Sequence, residues 1–352
     1  MIALVTLLFA MQVPAELKQH VEAGLAAKRM GDWDAAIREF RRVVELAPRL
    51  PAAYVNLGAV YYEKKDYGGA IPPLRQALEL NPDLPGAHAM LGAALLAQGY
   101  SSEAVDHLEK GKADDLLGVA LLESGRPREA IDKLEGVLEQ QPGNSDLLYY
   151  LSQAHERLAR LAAERLLERS PDSPRAHQLL GESRAAAGNH DGAEKELRAA
   201  LTARPELRGV HLLLGDLYLA SGDYDQAERE FRTEATLAPG SAAAAGKLGL
   251  VLLNRGETRA AITELERGNR LQPDNAEILL QLGKARYNTG ESAAAEKIFL
   301  RVLELEKGSG LAATAHFQLA DLYRKAGRTA DADREMRAFQ DIRKERGAVP
   351  PN

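Results

Sequence analysis

The sequence predicts an all-α chain built from one helical hairpin repeated about ten times. Three observations carry that reading. A Leu-Gly pair recurs at Leu57-Gly58, Leu91-Gly92, Leu117-Gly118, Leu180-Gly181, Leu214-Gly215, Leu248-Gly249 and Leu282-Gly283, mostly at 34-residue spacing. Around each pair, apolar residues fall three and four apart, the spacing of one helical face. Sustained period-two alternation of β-branched and aromatic residues, which would mark strands, is missing.

The first helix of a unit is exemplified by Tyr54, Leu57, Gly58 and Tyr61, which form one stripe. It stops at a glycine in most units, Gly31, Gly99, Gly125, Gly188, Gly222, Gly256, Gly290 and Gly327. A glycine there takes the left-handed conformation that closes a helix C-terminus. The second helix follows, with Ala70, Leu74, Ala77 and Leu78 as its stripe. The Ala twelve residues after the Leu-Gly glycine recurs at 104, 130, 193, 227, 261 and 295, with a Leu or Phe four residues further on. Gly58 and Ala70 are expected to be small because the two helices cross there, where a larger side chain overpacks the contact. A proline closes most units, at Pro48, Pro82, Pro142, Pro205, Pro239 and Pro273. A single hairpin leaves one apolar face uncovered, so neighbouring hairpins must stack.

Taken in order, the units begin as an N-terminal array over 15–144, with units at 17–50, 51–84, 85–110 and 111–144. The unit at 85–110 is short, so its second helix should end abruptly at Gly111. Pro72 and Pro73 fall inside a second helix and are expected to kink it. Segment 145–173 has lost its turn. From Ser145 to Ser170 there is neither Gly nor Pro, and Leu147, Leu151, Ala154, Leu158 and Leu161 keep helical spacing throughout. One long helix and a loopless kink both satisfy that pattern. A C-terminal array spans 174–346, with units at 174–207, 208–241, 242–275, 276–309 and 313–346, followed by a tail at 347–352. The charged last helix, near Thr329–Arg346, suits a terminal unit with a wet outer face.

The recurrent Leu57, Gly58, Tyr61, Ala70, Leu74 and Pro82, with Tyr54 at the aromatic position, resemble the tetratricopeptide repeat signature. The resemblance covers about residues 17–346. It implies a right-handed superhelical solenoid whose first helices line a concave groove. It also implies a non-enzymatic scaffold or adaptor that binds a segment of a partner protein. The family's groove positions project onto Asn56, Tyr62, Met90, Leu116, Tyr149, Tyr150, Leu179, Leu213, Lys247, Asn254, Lys284, Asn288 and Arg324. These residues place an apolar stretch at the middle and a polar, basic stretch at the end. The Lys/Asn clamp by which some family members bind chaperone tails has Val21 and Leu25 in its places, which speaks against that ligand. A structural spacer in an envelope or secretion assembly, engaged through its ends or convex surface, is the alternative reading.

Composition narrows the chemistry. With 45 basic and 51 acidic side chains the net charge is −6, which argues against a nucleic-acid partner. The chain lacks cysteine, which removes disulfides, thiolate metal sites and cysteine nucleophiles. No phosphate-binding loop, nucleophile elbow or metalloprotease motif occurs, and neither an enzymatic activity, a small-molecule substrate, a cofactor nor a metal is expected. Five histidines, His20, His88, His177, His211 and His316, occupy the place of Tyr54 and read as half-buried packing substitutes. His107, His155 and His190 fall elsewhere and read as surface residues. The apolar segment at residues 1–14 is too short to span a membrane. It reads as a signal peptide cut near Ala10, with export to the periplasm, or as an apolar cap on a cytoplasmic protein.

Overall fold

The computed structural model describes residues 14–348, and its described residues form nineteen α-helices and no strand. The apolar segment read as signal or cap lies outside the described residues up to Val13, as do residues 349–352 of the tail. The chain divides into two compact units within one helix, between Arg165 and Leu166.

In the first unit four hairpins precede a single helix. They are α1 (Ala15–Arg29) with α2 (Trp33–Leu46), and α3 (Pro51–Glu63) with α4 (Tyr67–Leu80). Next come α5 (Pro85–Ala97) with α6 (Ser101–Gly111), and α7 (Asp114–Glu123) with α8 (Pro127–Leu138). Helix α9 (Ser145–Arg169) follows as one 25-residue helix. Of the two readings of segment 145–173, the long helix is the one observed.

The second unit pairs α10 (Pro174–Ala186) with α11 (His190–Ala203), and α12 (Val210–Ser221) with α13 (Tyr224–Leu237). It continues with α14 (Ala242–Asn254) and α15 (Thr258–Leu271), then α16 (Ala276–Asn288) and α17 (Ser292–Leu305). The last pair is α18 (Gly310–Lys325) and α19 (Thr329–Ala348). Within each unit a hairpin packs on its own two helices and on the next hairpin, so the core is a chain of local clusters.

The crossing points are as tight as the small residues require. A Cβ added to Gly58 would stand 2.6 Å from Leu74 Cγ, far inside van der Waals contact. The same collision recurs sixteen residues on in six other hairpins, for example Gly92 with Leu108 and Gly215 with Phe231. The eight turn glycines named from the sequence all have positive φ, between 74° and 84°. In the α3–α4 turn that place is held by Lys65, at φ 64°. Side-chain caps start many helices: Asp32, Asp66, Asn189 and Asp223 accept from backbone N–H groups of their second helices. Helix α6 ends at Gly111, with Lys112 left-handed at φ 56°. Helix α4 runs as one element through Pro72 and Pro73; the carbonyls of Gly68 and Gly69 lose their helical donors there.

Candidate partner-binding groove

In the first unit the projected groove residues fall into two groups. Tyr62, Met90, Leu116 and Tyr150 are half-buried and pack against one cluster centred on Leu74, Leu91 and Leu108. Tyr62 meets Tyr67 edge-on at 5.3 Å between ring centroids. Burial, and then the neighbouring Tyr67 and Asp115, raise the Tyr62 phenol above its ordinary pKa. Tyr149 is 60% exposed and leans on Tyr150 at 5.5 Å in a T-shaped contact. Asn56 is half-buried, and its amide donates to the carbonyl of Ala52, so it spends one donor on its own helix.

In the second unit Leu179 and Leu213 are half-buried, and Leu213 packs against the Leu214–Leu248 cluster. The polar members are less free than the sequence implies. Lys247 Nζ stands 2.8 Å from Asp216 Oδ1, an ion pair out of hydrogen-bond alignment with that shielded oxygen. Near the end, Tyr287 donates to Asp321 at 2.7 Å, and Lys325 both pairs with Asp321 and lies over the Tyr287 ring. Lys284 differs: no carboxylate among the described residues pairs with it, and burial alone lowers its pKa. Asn254, Asn288 and Arg324 are exposed. Within the stretch read as basic, Lys247 is thus neutralised by Asp216, Lys284 is a desolvated cation and Arg324 stays exposed.

Sequence reasoning missed a hollow of about 350 Å³ between α14 and α16. Gly246, Lys247, Leu250, Ile278, Gln281 and Leu311 line it. A Cβ at Gly246 would come within 2.9 Å of Ile278, so the bare glycine lets the two helices approach closely at the wall of the hollow. The signal was present as Gly246 on a groove-lining helix, but a missing side chain carries no pattern of its own.

The histidines also need correction. Each of the five is partnered across its hairpin by the residue nineteen positions on, so they are polar latches as well as packing. His20, His177, His211 and His316 donate through Nδ1–H to Glu39, Glu196, Glu230 and Glu335 at 2.6–2.7 Å. Lys133 and Asp114 occupy the same two places in the α7–α8 hairpin, at 3.2 Å. His88 meets His107, Nδ1 to Nδ1, at 2.9 Å, so His107 is a half-buried partner and not a surface residue. His155 and His190 are exposed. The opposite edge of the ring has a recurrent role too. His88 Nε2 and Tyr54 Oη reach the carbonyls of Pro82 and Pro48, six residues back, at 3.0 and 3.1 Å. The closing proline and the residue at the Tyr54 place are thus a bonded pair. Among the described residues no cluster of three or more His, Cys, Asp or Glu is placed to hold a metal ion. Nor is any helix there long and apolar enough to cross a membrane.

Sequence models described as tetratricopeptide repeat match residues 21–85 and 280–340, residues 85–110, and residues 121–182, 184–248 and 218–278. Together these span most of the chain. It belongs to the tetratricopeptide repeat family. Similar solved structures include the crystal structure of MamA, 22% identical over 48% of this chain and 98% of that one, with a TM-score of 0.44. Yeast Tom70 is 14% identical over 93% of this chain and 91% of its own, at 0.42. YrrB, described as a tetratricopeptide repeat protein with an unusual peptide-binding site, is 19% identical over 51% and 92%, at 0.43. No curated protein matches the sequence.

Proposed function

We propose that this tetratricopeptide repeat chain is a non-catalytic adaptor that holds a segment of a partner protein against the groove-lining first helices. The observation that supports it most is the Tyr149–Tyr150 pair. A tyrosine 60% exposed, braced edge-on by a half-buried one, offers a large rigid contact surface already positioned for a partner. Met90, Leu116 and Tyr62 add apolar surface on the same cluster. The hollow beside Gly246 gives the second unit a place for one apolar side chain, and Lys284 lacks the counter-charge that an acidic neighbour on the partner would supply. Apolar contacts would carry most of the affinity, at about 25 cal/mol per Å² before ordering costs, while Lys284 would set orientation.

The test is capture from an extract of the source cells by the intact chain, followed by affinity measurement on the captured partner. Replacing Tyr149 and Tyr150 with Ala, with helicity checked by circular dichroism, should weaken binding at least about tenfold. A photo-reactive side chain at position 149 should cross-link the same partner, whereas one at exposed Arg38 should not. Unchanged affinity together with cross-linking at position 38 alone would replace the groove with the outer surface.

A further inference from the structure

The α5–α6 hairpin differs from its neighbours at the latch. In the α12–α13 hairpin, His211 Nδ1 faces Glu230 at 2.6 Å and Nε2 faces the Pro205 carbonyl at 3.4 Å. Both partners only accept, so the ring satisfies both as an imidazolium. In the α5–α6 hairpin, Nε2 of His88 faces the Pro82 carbonyl at 3.0 Å, which assigns a proton to that nitrogen. Its Nδ1 is then a bare lone pair when the ring is neutral, and the Nδ1–H of His107 donates to it across 2.9 Å. The ring centroids are 5.1 Å apart and the planes are inclined by 30°. The nitrogen separation falls short of the centroid separation by about two ring radii, so the rings meet head-on along the line of one proton. A metal ion bridging them would have to lie off that line, with no third ligand at hand among the described residues.

We propose that His88 and His107 form an acid-sensitive latch that tolerates one added proton and is broken by the second. The first can be taken by His107 Nε2, which leaves the proton between the two Nδ1 atoms in place. The second puts N–H against N–H and two positive charges within one hydrogen-bond length. His88 is 7% exposed, so it has little water to turn to. The groups acting on His107 besides His88 are Asp106, Glu103 and Lys110, all on α6; α4 and α7 contribute none to that set. At the hollow beside His88, the α4–α5 link brings Asp83, α4 brings Leu78, and α6 brings Lys110. Of the two carboxylates that act on His107, Asp106 is tied to Lys110 at 2.7 Å and Glu103 to Arg75 at 2.6 Å, so neither is free to replace Glu as the latch partner. Burial, and then the charge on His88, push the His107 imidazole below its ordinary pKa.

The hairpin has no slack to absorb the repulsion. One residue beyond His88, the backbone of Ala89 lies so close to Gly111 that a Cβ on Gly111 would be 2.5 Å from the Ala89 nitrogen. Gly92 is pressed on Leu108 in the same manner on the other side of the pair. Acid therefore opens the hairpin between two tight contacts instead of turning one ring outward. Helix α5 also carries Met90, so the opening displaces part of the apolar face of the first unit.

The test uses the full chain and backbone hydrogen exchange at about pH 7.5 and about pH 5, either side of the ordinary histidine pKa, corrected for intrinsic rates. Protection of α5 and α6 should fall at least about tenfold more than that of α12 and α13. His107→Gln, which keeps a donor but cannot charge, should abolish that difference. His107→Glu, which installs the partner found in the other hairpins, should remove or reverse it. Imidazole ¹⁵N spectra of the unsubstituted chain give a readout that does not depend on how the variants fold. They should show His88 protonated on Nε2 near neutrality, and uptake of the second proton together with loss of α5–α6 protection. Equal loss in both hairpins, the same loss in His107→Gln, or two protons taken up with α5–α6 protection intact would each overturn the proposal.

Discussion

The α5–α6 and α12–α13 hairpins share a repeat and a register, yet His107 of the one and His211 of the other have their pKa values shifted in opposite directions. Glu230 is the first cause of the raised pKa of His211, by hydrogen bond, ahead of the opposing effect of burial. A raised folded-state pKa means stability that is fully present below the unfolded value of about 6.5 and lost as pH rises through the folded value. His107 is shifted the other way, so its contribution is present above about 6.5 and lost as pH falls toward the folded value. The Glu230 partner sets the sign at His211, whereas burial, and then the charge on His88, sets it at His107.

The largest effect that would sharpen this comparison lies at the crossing points. A Cβ on Gly92 meets not only the Leu108 side chain but also its backbone nitrogen at 3.0 Å, whereas the three atoms nearest a Cβ on Gly215 all belong to the Phe231 ring. Gly92→Ala should destabilise its hairpin by about 2 kcal/mol, and Gly215→Ala by about 1 kcal/mol, after the gain in helix propensity. Local hydrogen exchange would show this as a greater loss of protection in α5–α6, and equal losses would mean that α6 yields as readily as a ring. Next in size is Glu230→Gln. Near pH 6 it should cost about 1.5 kcal/mol through loss of a charge-assisted hydrogen bond, and near pH 9 almost nothing. A cost independent of pH would show that His211 is neutral in the folded chain and would remove the contrast between the hairpins.

The smallest effects should not distinguish the two. Gly99 and Gly222 both stand at φ 80°, so replacing either with Ala should cost about 1 kcal/mol. The turn of α3–α4 supplies the converse: Lys65→Gly relieves a left-handed lysine and should stabilise by about 0.5–1 kcal/mol in urea denaturation. A loss on Lys65→Gly would mean that the lysine side chain stabilises the turn by more than its backbone costs.

The hairpins were legible because each rests on spacing within one helix. Gly58 predicts a crossing, and Leu74 fills the space a Cβ would need. Gly125 predicts a left-handed turn, and its φ is 84°. The latches were harder to read, since His88 and His107 sit on different helices and neither helix alone marks the other. Only a count of nineteen applied to all units, with Glu39, Glu196, Glu230 and Glu335 in register, would have joined them. Segment 145–173 was half legible: the lack of Gly and Pro permitted a continuous helix, but a kink requires neither residue. The charge of the groove was misleading for a similar reason. Lys247 is read as a free cation until Asp216, 31 residues earlier, is seen beside it.

The nineteen-residue latch has a bearing on how such a chain grows. Its span is shorter than the 34-residue period, as is the sixteen-residue span from Gly215 to Phe231, so a hairpin contains both halves of each. A tandem duplication in the gene that begins in the link between two hairpins copies bond and crossing point together and delivers a segment already matched to itself. Ion pairs such as Lys64 with Asp34 and Arg255 with Asp225 are different, because they span the junction between successive hairpins. They must be reinvented at every new boundary, whereas the latch is inherited intact.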